Sequence, residues 1–146
     1  MTTVGFCGHF SLTQEDENKI ELSIYGLIEK LIVNGASEFL FYPCNQFDYI
    51  CAKTVKELKK RYPHIVSVLC LPFLDISYIS HLYDYVVSLP IKNDLGPSAH
   101  AKITEAMVDK SDIIIAYINH DKGKWVQTLK YARKKNKLII NIADDN

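Results

Sequence analysis

The chain has 146 residues, of which 48% are hydrophobic and 23% are charged, and this mixture is typical of one globular domain. Lys plus Arg and Asp plus Glu each number 17, so the formal net charge is zero. Composition therefore excludes a disordered tail and a strongly basic nucleic-acid binder. No apolar run approaches the roughly 18 residues of a membrane span, and the first residues carry no signal-peptide pattern. We expect one cytoplasmic domain over residues 1–146 whose partners include neither membrane nor nucleic acid.

Six short apolar runs predict buried strands, and between most of them apolar residues recur at helical spacing. The predicted strands are, in chain order, Thr3–Gly8, Glu38–Tyr42, Ile65–Leu71, Tyr85–Leu89, Asp112–Ile118 and Leu138–Ile142. The first helix is predicted to begin after Thr13, whose hydroxyl caps it, and to end at Asn34-Gly35. An apolar stripe predicts a second helix from Phe47 to Pro63.

The second half of the chain adds a loop and three predicted helices. A short helix is predicted over Asp75–Tyr83, and a mobile loop over Ile91–Pro97, which is polar and contains Gly and Pro. Apolar stripes predict two more helices, one containing Ala99 and Met107 and one beginning near Trp125. Because strands and helices alternate, we expect a single doubly wound, Rossmann-like α/β domain with a mainly parallel sheet of about five to six strands.

Loops at the carboxyl ends of the strands are the expected binding region, because ligands of open parallel sheets bind there. The candidate ligand-binding residues are Gly8, His9 and Phe10 after the first strand, Asn45, Gln46, Phe47 and Asp48 after the second, and Asn119, His120, Lys122, Gly123 and Lys124 after the fifth. The strongest candidate for a phosphate is Lys122-Gly123-Lys124, which combines free helix amides with a glycine and two ammonium groups. A solvated turn before a surface helix is the alternative interpretation.

Several candidate side chains allow two interpretations. His9 and His120 can meet a phosphate or ribose, or simply be exposed. Asp48 can bind a ribose hydroxyl, as acidic groups do in dinucleotide sites, or cap the amides of its own helix. Phe10 and Phe47 can stack on a base or pack in the core. The sequence leaves these alternatives open.

The cysteines and the missing motifs limit the chemistry that we expect. Cys7, Cys44, Cys51 and Cys70 show no CxxC spacing, so they are expected to be thiols and no metal site is predicted. Cys7 and Cys70 fall in predicted strands and are expected to lie in the core. No nucleophile elbow, dinucleotide fingerprint or P-loop is present, so no catalytic residue is assigned and no cofactor is required.

Four stretches taken together carry a family resemblance. They are residues 4–10 (VGFCGHF), 47–52 (FDYICA) with 55–65, 107–117 (MVDKSDIIIAY), and 128–135 with 139–142. In this order they resemble the YpsA-like SLOG proteins. The resemblance implies a Rossmann-like domain that binds a nucleotide or a nucleotide-derived ligand. Relatives in the wider superfamily include cytokinin-activating phosphoribohydrolases, a DNA-processing protein and sensors of NAD-derived signals.

The chain departs from this family in its glycines. The turn before Asp48 contains no glycine, and Gly123 is the single glycine kept before the last helix. Enzymes of the superfamily need a glycine-rich phosphate loop with a catalytic acid, so the resemblance favours binding without catalysis. The expected ligand is ADP-ribose, an NAD-like molecule or a nucleoside monophosphate, held at the carboxyl-end cleft.

Two other functions remain open from the sequence. One is a nucleoside-monophosphate N-glycosidase (a phosphoribohydrolase) or a deoxyribosyltransferase-like enzyme. The other is a degenerate interaction module with no ligand, whose basic faces Lys53–Arg61 and Lys130–Lys137 can meet an acidic partner or simply be solvated. A homo-oligomer is compatible with all three functions.

Overall fold

A computed structural model of the chain describes residues 2–8, 12–42, 46–71, 82–89, 98–119 and 124–144. The predicted loop Ile91–Pro97 lies outside these ranges, as does all but the end of the predicted helix Asp75–Tyr83. The described strands are β1 (Thr2–Gly8), β2 (Ala36–Phe41), β3 (Val66–Leu71), β4 (Tyr85–Ser88), β5 (Ile113–Tyr117) and β6 (Leu138–Asn141). The described helices are α1 (Gln14–Val33), α2 (Gln46–Lys59), α3 (Ser98–Lys110) and α4 (Lys124–Lys134), followed by a 3-10 turn at Ile142–Asp144. No helix among them has both the length and the apolar character of a membrane span.

The six strands form one parallel sheet in the order β4-β3-β2-β1-β5-β6. The chain moves outward from β1 to β4 and then returns to place β5 on the other side of β1. Near-continuous apolar strands had indicated a parallel sheet covered on both faces. The predicted Rossmann-like α/β fold, with its mainly parallel sheet, is confirmed.

Helices cover both faces of the sheet because successive strand residues point in opposite directions. Phe6 belongs to the cluster that includes the buried faces of α1 and α2, and its ring stacks on that of Phe41 at 4.7 Å between centroids. The next residue, Cys7, packs with α4 on the other face. Cys70 packs there with α3. Cys7 and Cys70 are therefore core thiols, as predicted, and Cys51 is a third buried thiol.

Helix α1 has clear local signals at both ends. The hydroxyl of Thr13 accepts a hydrogen bond from the backbone N–H of Asp16 at 3.0 Å, and the Asp16 carboxylate accepts one from the Thr13 N–H at 3.4 Å. This reciprocal pair is a capping box. Gly35, just beyond the helix, has φ of 111°, a conformation that glycine adopts at little cost. The predicted start and end of α1 are both confirmed.

Helix α2 ends earlier than the sequence predicted. Its last residue is Lys59 rather than one next to Pro63. A proline disfavours the helical conformation of the residue before it, so the helix must end ahead of Tyr62. Tyr62 nevertheless packs against the core and donates its hydroxyl to the carboxylate of Glu29 at 3.0 Å.

Candidate ligand-binding site

The candidate site lies where the strand order reverses. β1 and β5 are neighbours, and Gly8 stands opposite Tyr117 at their carboxyl ends. Beyond Gly8 the chain continues to α1 on one face, and beyond Tyr117 it continues to α4 on the other. Such a reversal point is where open α/β sheets bind ligands. We call this region, from Gly8 and Tyr117 to the start of α4, the switch-point site.

The absence of a side chain at Gly8 makes room for a neighbouring ring. A Cβ atom on Gly8 would lie 2.5 Å from Cδ2 of Phe47. Phe47 is fully buried, and its ring lies 6.1 Å from that of Tyr117 with an interplanar angle of 26°. The ring of Phe47 thus packs against the carboxyl ends of β1 and β5. Of its two interpretations, the structure places Phe47 in packing rather than on a base.

Asp48 is fully buried next to Phe47. Its side chain has no exposed surface. Burial raises the pKa of its carboxyl well above the usual value, and a hydrogen bond from the backbone of Tyr42 opposes that shift. Burial, with the nearby Asp48 as a second cause, raises the pKa of the Cys7 and Cys51 thiols and raises the pKa of Tyr83 to about 12. The structure therefore places Asp48 beneath the switch-point site rather than on its surface.

Gln46 links the starts of α1 and α2. Its side-chain oxygen accepts a hydrogen bond from the backbone N–H of Leu12 at 2.9 Å, and its amide nitrogen donates to the carboxylate of Glu17. Both polar ends of the side chain are therefore engaged within the protein. Gln46 holds the two helix starts together at this edge of the sheet, and that positioning role was not predicted.

Tyr117 and Asn141 shape the site, although neither was among the predicted residues. Burial and a hydrogen bond to the Asp16 carboxylate raise the pKa of Tyr117, so Tyr117 connects β5 to the start of α1. Asn141 accepts from the backbone N–H of Ile118 at 3.1 Å and donates to the Ile118 carbonyl at 2.9 Å. These two hydrogen bonds hold the backbone of Ile118 in place directly after β5. A polar residue at the end of an apolar strand was the sequence signal for Asn141.

The helix starts at this edge differ in charge. The first turn of α1 contains Glu15, Asp16 and Glu17, which already complement the positive end of its dipole. The first turn of α4 contains no acidic residue. Because α4 follows β5, it begins at the carboxyl edge of the sheet, and the positive end of its dipole favours an anion there over the acidic start of α1.

The structure brings part of the predicted set to one edge of the sheet. Gly8 and Phe47 touch, Asp48 lies below them, and Asn119 is exposed two residues beyond β5. Lys124 begins α4, and nothing further is described of its side chain. The remaining predicted residues, His9, Phe10, Asn45, His120, Lys122 and Gly123, lie outside the described ranges. Within those ranges, no group of three or more His, Cys, Asp or Glu side chains could hold a metal ion.

Comparison with protein-family models and with curated protein sequences gave no match. Among solved structures, the chain is similar to TM1055, a structural-genomics target, with a TM-score of 0.64 at 10% identity over 99% of this chain and 79% of that one. It is also similar to DNA processing protein A from Helicobacter pylori, which was described for its single-stranded DNA binding mode. That match has a TM-score of 0.63 at 14% identity, over 94% of this chain and 63% of the longer protein.

A third similar structure is the Moco carrier protein of Chlamydomonas rheinhardtii. Its TM-score is 0.62 at 15% identity, over 97% of this chain and 76% of that one. The sheet order and these three likenesses agree. The chain shares the Rossmann-like fold of all three proteins.

Proposed function

We propose that this chain is a SLOG-type domain of the YpsA-like kind that binds a nucleotide or nucleotide-derived ligand at the switch-point site without catalysing a reaction. The ligand is ADP-ribose, an NAD-like molecule or a nucleoside monophosphate. The observation that carries the proposal is the reversal of strand order between Gly8 and Tyr117. Ligands of open α/β sheets bind at this point.

The charge of the flanking helices supports an anionic ligand group on the α4 side. The start of α1 carries three carboxylates, whereas the first turn of α4 carries none. The sequence adds Lys122 and Lys124 at the α4 start. We infer that phosphate groups bind at α4 and that the remainder of the ligand extends towards Gly8 and Asn119.

The neighbouring structures support a binding role only by analogy. One of them binds single-stranded DNA and another carries Moco, so this fold serves proteins that hold ligands. At 10 to 15% identity the likeness concerns the fold. The place of the proposed site rests on this chain's own switch-point residues, and the proposed ligand class rests on the resemblance to the YpsA-like SLOG proteins.

Calorimetric titration with ADP-ribose, NAD and AMP tests the proposal. We expect one of them to bind, and Lys124→Ala to weaken binding by about tenfold, because a hydrogen bond to a charged group contributes roughly 1.5–3 kcal/mol. Lys134→Ala is the matched control, since it removes the same charge from the opposite end of α4. If no ligand gives heat with a folded protein, the proposal fails and an interaction module becomes the better description.

The absence of catalysis can be tested separately. Asp48 is the one carboxylate among the predicted ligand-binding residues, and it is fully buried. We therefore expect no release of free base from AMP or dAMP over the rate without protein, measured by chromatography. Base release that disappears in Asp48→Asn would replace this proposal with an N-glycosidase.

A further inference from the structure

A second cleft lies at the opposite edge of the sheet from the switch-point site. It has a volume of about 310 Å³, which is large enough for a small organic ligand. Its walls come from the second half of α2 and from residues at the amino ends of β3 and β4. We call it the amino-edge cleft.

Three lysines at the carboxyl end of α2 line the amino-edge cleft. They are Lys56 and Lys59 in the last turn of the helix and Lys60 directly after it, and the spacing of three and four residues from Lys56 places all three on one side. Asp84 is the one carboxylate among the described lining residues. The sequence left open whether this basic face meets an acidic partner or is solvated, and it could not show a cleft because the wall opposite these lysines is formed by residues distant in the chain.

Asp84 neutralises one of the three ammonium groups. Its carboxylate lies 2.7 Å from Nζ of Lys59, and both side chains are about one-third exposed or less, at 34% and 28%. The same carboxylate accepts a hydrogen bond from the backbone N–H of Ser67 at 2.9 Å. Lys59 and Asp84 therefore form an ion pair within the lining, and the bond to Ser67 ties it to β3.

The other two ammonium groups are not neutralised inside the cleft. Lys60 pairs with Glu57 at 3.0 Å, but these side chains are 71% and 60% exposed, and ion pairs so exposed contribute little. Lys56 makes no ion pair with any residue in the described part of the chain. Like charges four residues apart on a helix repel each other. An anion between Lys56 and Lys60 would relieve that repulsion.

We propose that the amino-edge cleft binds a small organic phosphate monoester. The phosphate lies between Lys56 and Lys60, and the organic part lies against Val55 and Leu82, the apolar residues among the described lining. A phosphate monoester carries a charge of about −1.5 to −2 at neutral pH, which matches two ammonium groups. Lysine commonly binds phosphate as a point charge.

Titration with phenyl phosphate, followed by backbone amide NMR shifts, tests this site. We expect saturable shifts at Ser67, Leu82 and Asp84, with weaker binding of inorganic phosphate because it lacks an organic part. The double variant Lys56→Ala/Lys60→Ala is expected to weaken phenyl phosphate binding by about tenfold or more. Lys53→Ala is the matched control, because Lys53 is exposed on α2 with Nζ 5.1 Å from the ring centre of Tyr49 and does not line the cleft.

The two proposed sites can fail independently. Shifts confined to Gly8 and Asn119 would overturn the amino-edge site and leave the switch-point proposal standing. Absence of saturable shifts at Ser67 and Asp84 up to roughly 10 mM phenyl phosphate, an affinity too weak for a specific site, would also overturn it. The amino-edge site would also be overturned if Lys53→Ala weakened phenyl phosphate binding as much as the double variant does.

Discussion

The packing around Gly8 depends on the absence of a side chain at this residue. The sequence marked Gly8 as the end of a strand and Phe47 as the start of a helix stripe. It could not show that the two are in contact, because the contact depends on how α2 lies against the sheet. The buried ring of Phe47 occupies the position that a larger residue at Gly8 would need.

We expect Gly8→Ala to lower the free energy of unfolding by about 1–3 kcal/mol, the usual cost of overpacking a filled site. The new Cβ would lie 2.5 Å from the ring of Phe47. Urea denaturation measures the change. Gly26→Ala is the control, since an added Cβ there meets no atom within 4 Å, and alanine inside a helix is expected to stabilise by about 0.5–1 kcal/mol. Similar effects of both substitutions would contradict the packing described at Gly8.

Asp48 makes stability depend on pH. Its pKa in the folded protein is raised by burial, so above the ordinary Asp pKa of about 3.9 the unfolded chain has lost a proton that the folded protein keeps. The stability that the protonated form contributes is complete below that pH and is lost as pH rises towards the folded pKa. Asp48→Asn replaces the titrating carboxyl with a neutral amide, so the variant does not lose this stability as pH rises. The variant should therefore gain stability relative to the wild type as pH rises, by at most about 1.4 kcal/mol per pH unit.

Urea denaturation of both proteins between about pH 5 and about pH 7 measures this difference, since both share every other titrating group. Titration of Cys7, Cys51 and Tyr83 does not affect this stability difference. Their pKa values are raised, and thiols and phenols keep their protons below about pH 8 even when unfolded. A difference that stays constant across the range would show that Asp48 titrates normally.

Among the elements, the connection after β5 depends on one side chain of β6. Asn141 forms hydrogen bonds with the N–H and carbonyl of Ile118 and with the N–H of Ala143. Ile118 is 5% exposed, so water cannot readily replace these bonds. The amide of Asn141 therefore keeps the ends of β5 and β6 in register, just before the exposed Asn119.

We expect Asn141→Ala to lower the free energy of unfolding by about 1–3 kcal/mol, because it leaves buried backbone groups of Ile118 without their partner. Amide exchange at Ile118 should also become faster. Asn18→Ala is the matched control. Among the described residues, the Asn18 side chain accepts a bond only from Gln14, on an exposed helix face, so its loss should change stability by about 0.5 kcal/mol or less. An unchanged exchange rate of the Ile118 amide would contradict the role assigned to Asn141.

Local signals explain which elements the sequence predicted well. The capping box at Thr13 and the glycine at Gly35 set the ends of α1 from residues next to them, so α1 was predicted at both ends. The hydrogen bonds that join the Gln46 side chain to Leu12 and to Glu17, and the burial of Asp48, involve residues far apart in the chain. Neither periodicity nor spacing encodes such contacts. The edge of the sheet that carries the candidate site was therefore predictable, but the roles of these side chains were not.

At the scale of the molecule, strand position determines protection from unfolding. β1 pairs with both β2 and β5, whereas β4 pairs only with β3 among the described strands. Residues of β1 are almost all buried, while Tyr85 in β4 is 60% exposed. The order of the strands thus predicts a gradient of local stability from the centre of the sheet to its edges.

Native-state amide exchange should reveal this gradient. We expect amides of β1 to exchange only through global unfolding and those of β4 to exchange fastest among the strands, because edge strands open locally. The measurement compares exchange free energies residue by residue at one temperature and pH. Protection of β4 equal to that of β1 would contradict the gradient and would indicate that another copy of the chain covers this edge.

The central place of β1 also has a consequence for biosynthesis. β1 is synthesised before the other described strands, yet one of its two partners is β5, and the hydrogen bond between Thr3 and Asp112 spans 109 residues. While the chain leaves the ribosome, β1 to β3 can pair, but the β5-facing edge of β1 has no partner until residues 113–117 emerge. Such distant pairing folds slowly, and an open strand edge invites association with other chains. A nascent chain that stalls before residue 113 would thus expose the middle of its sheet to the cell.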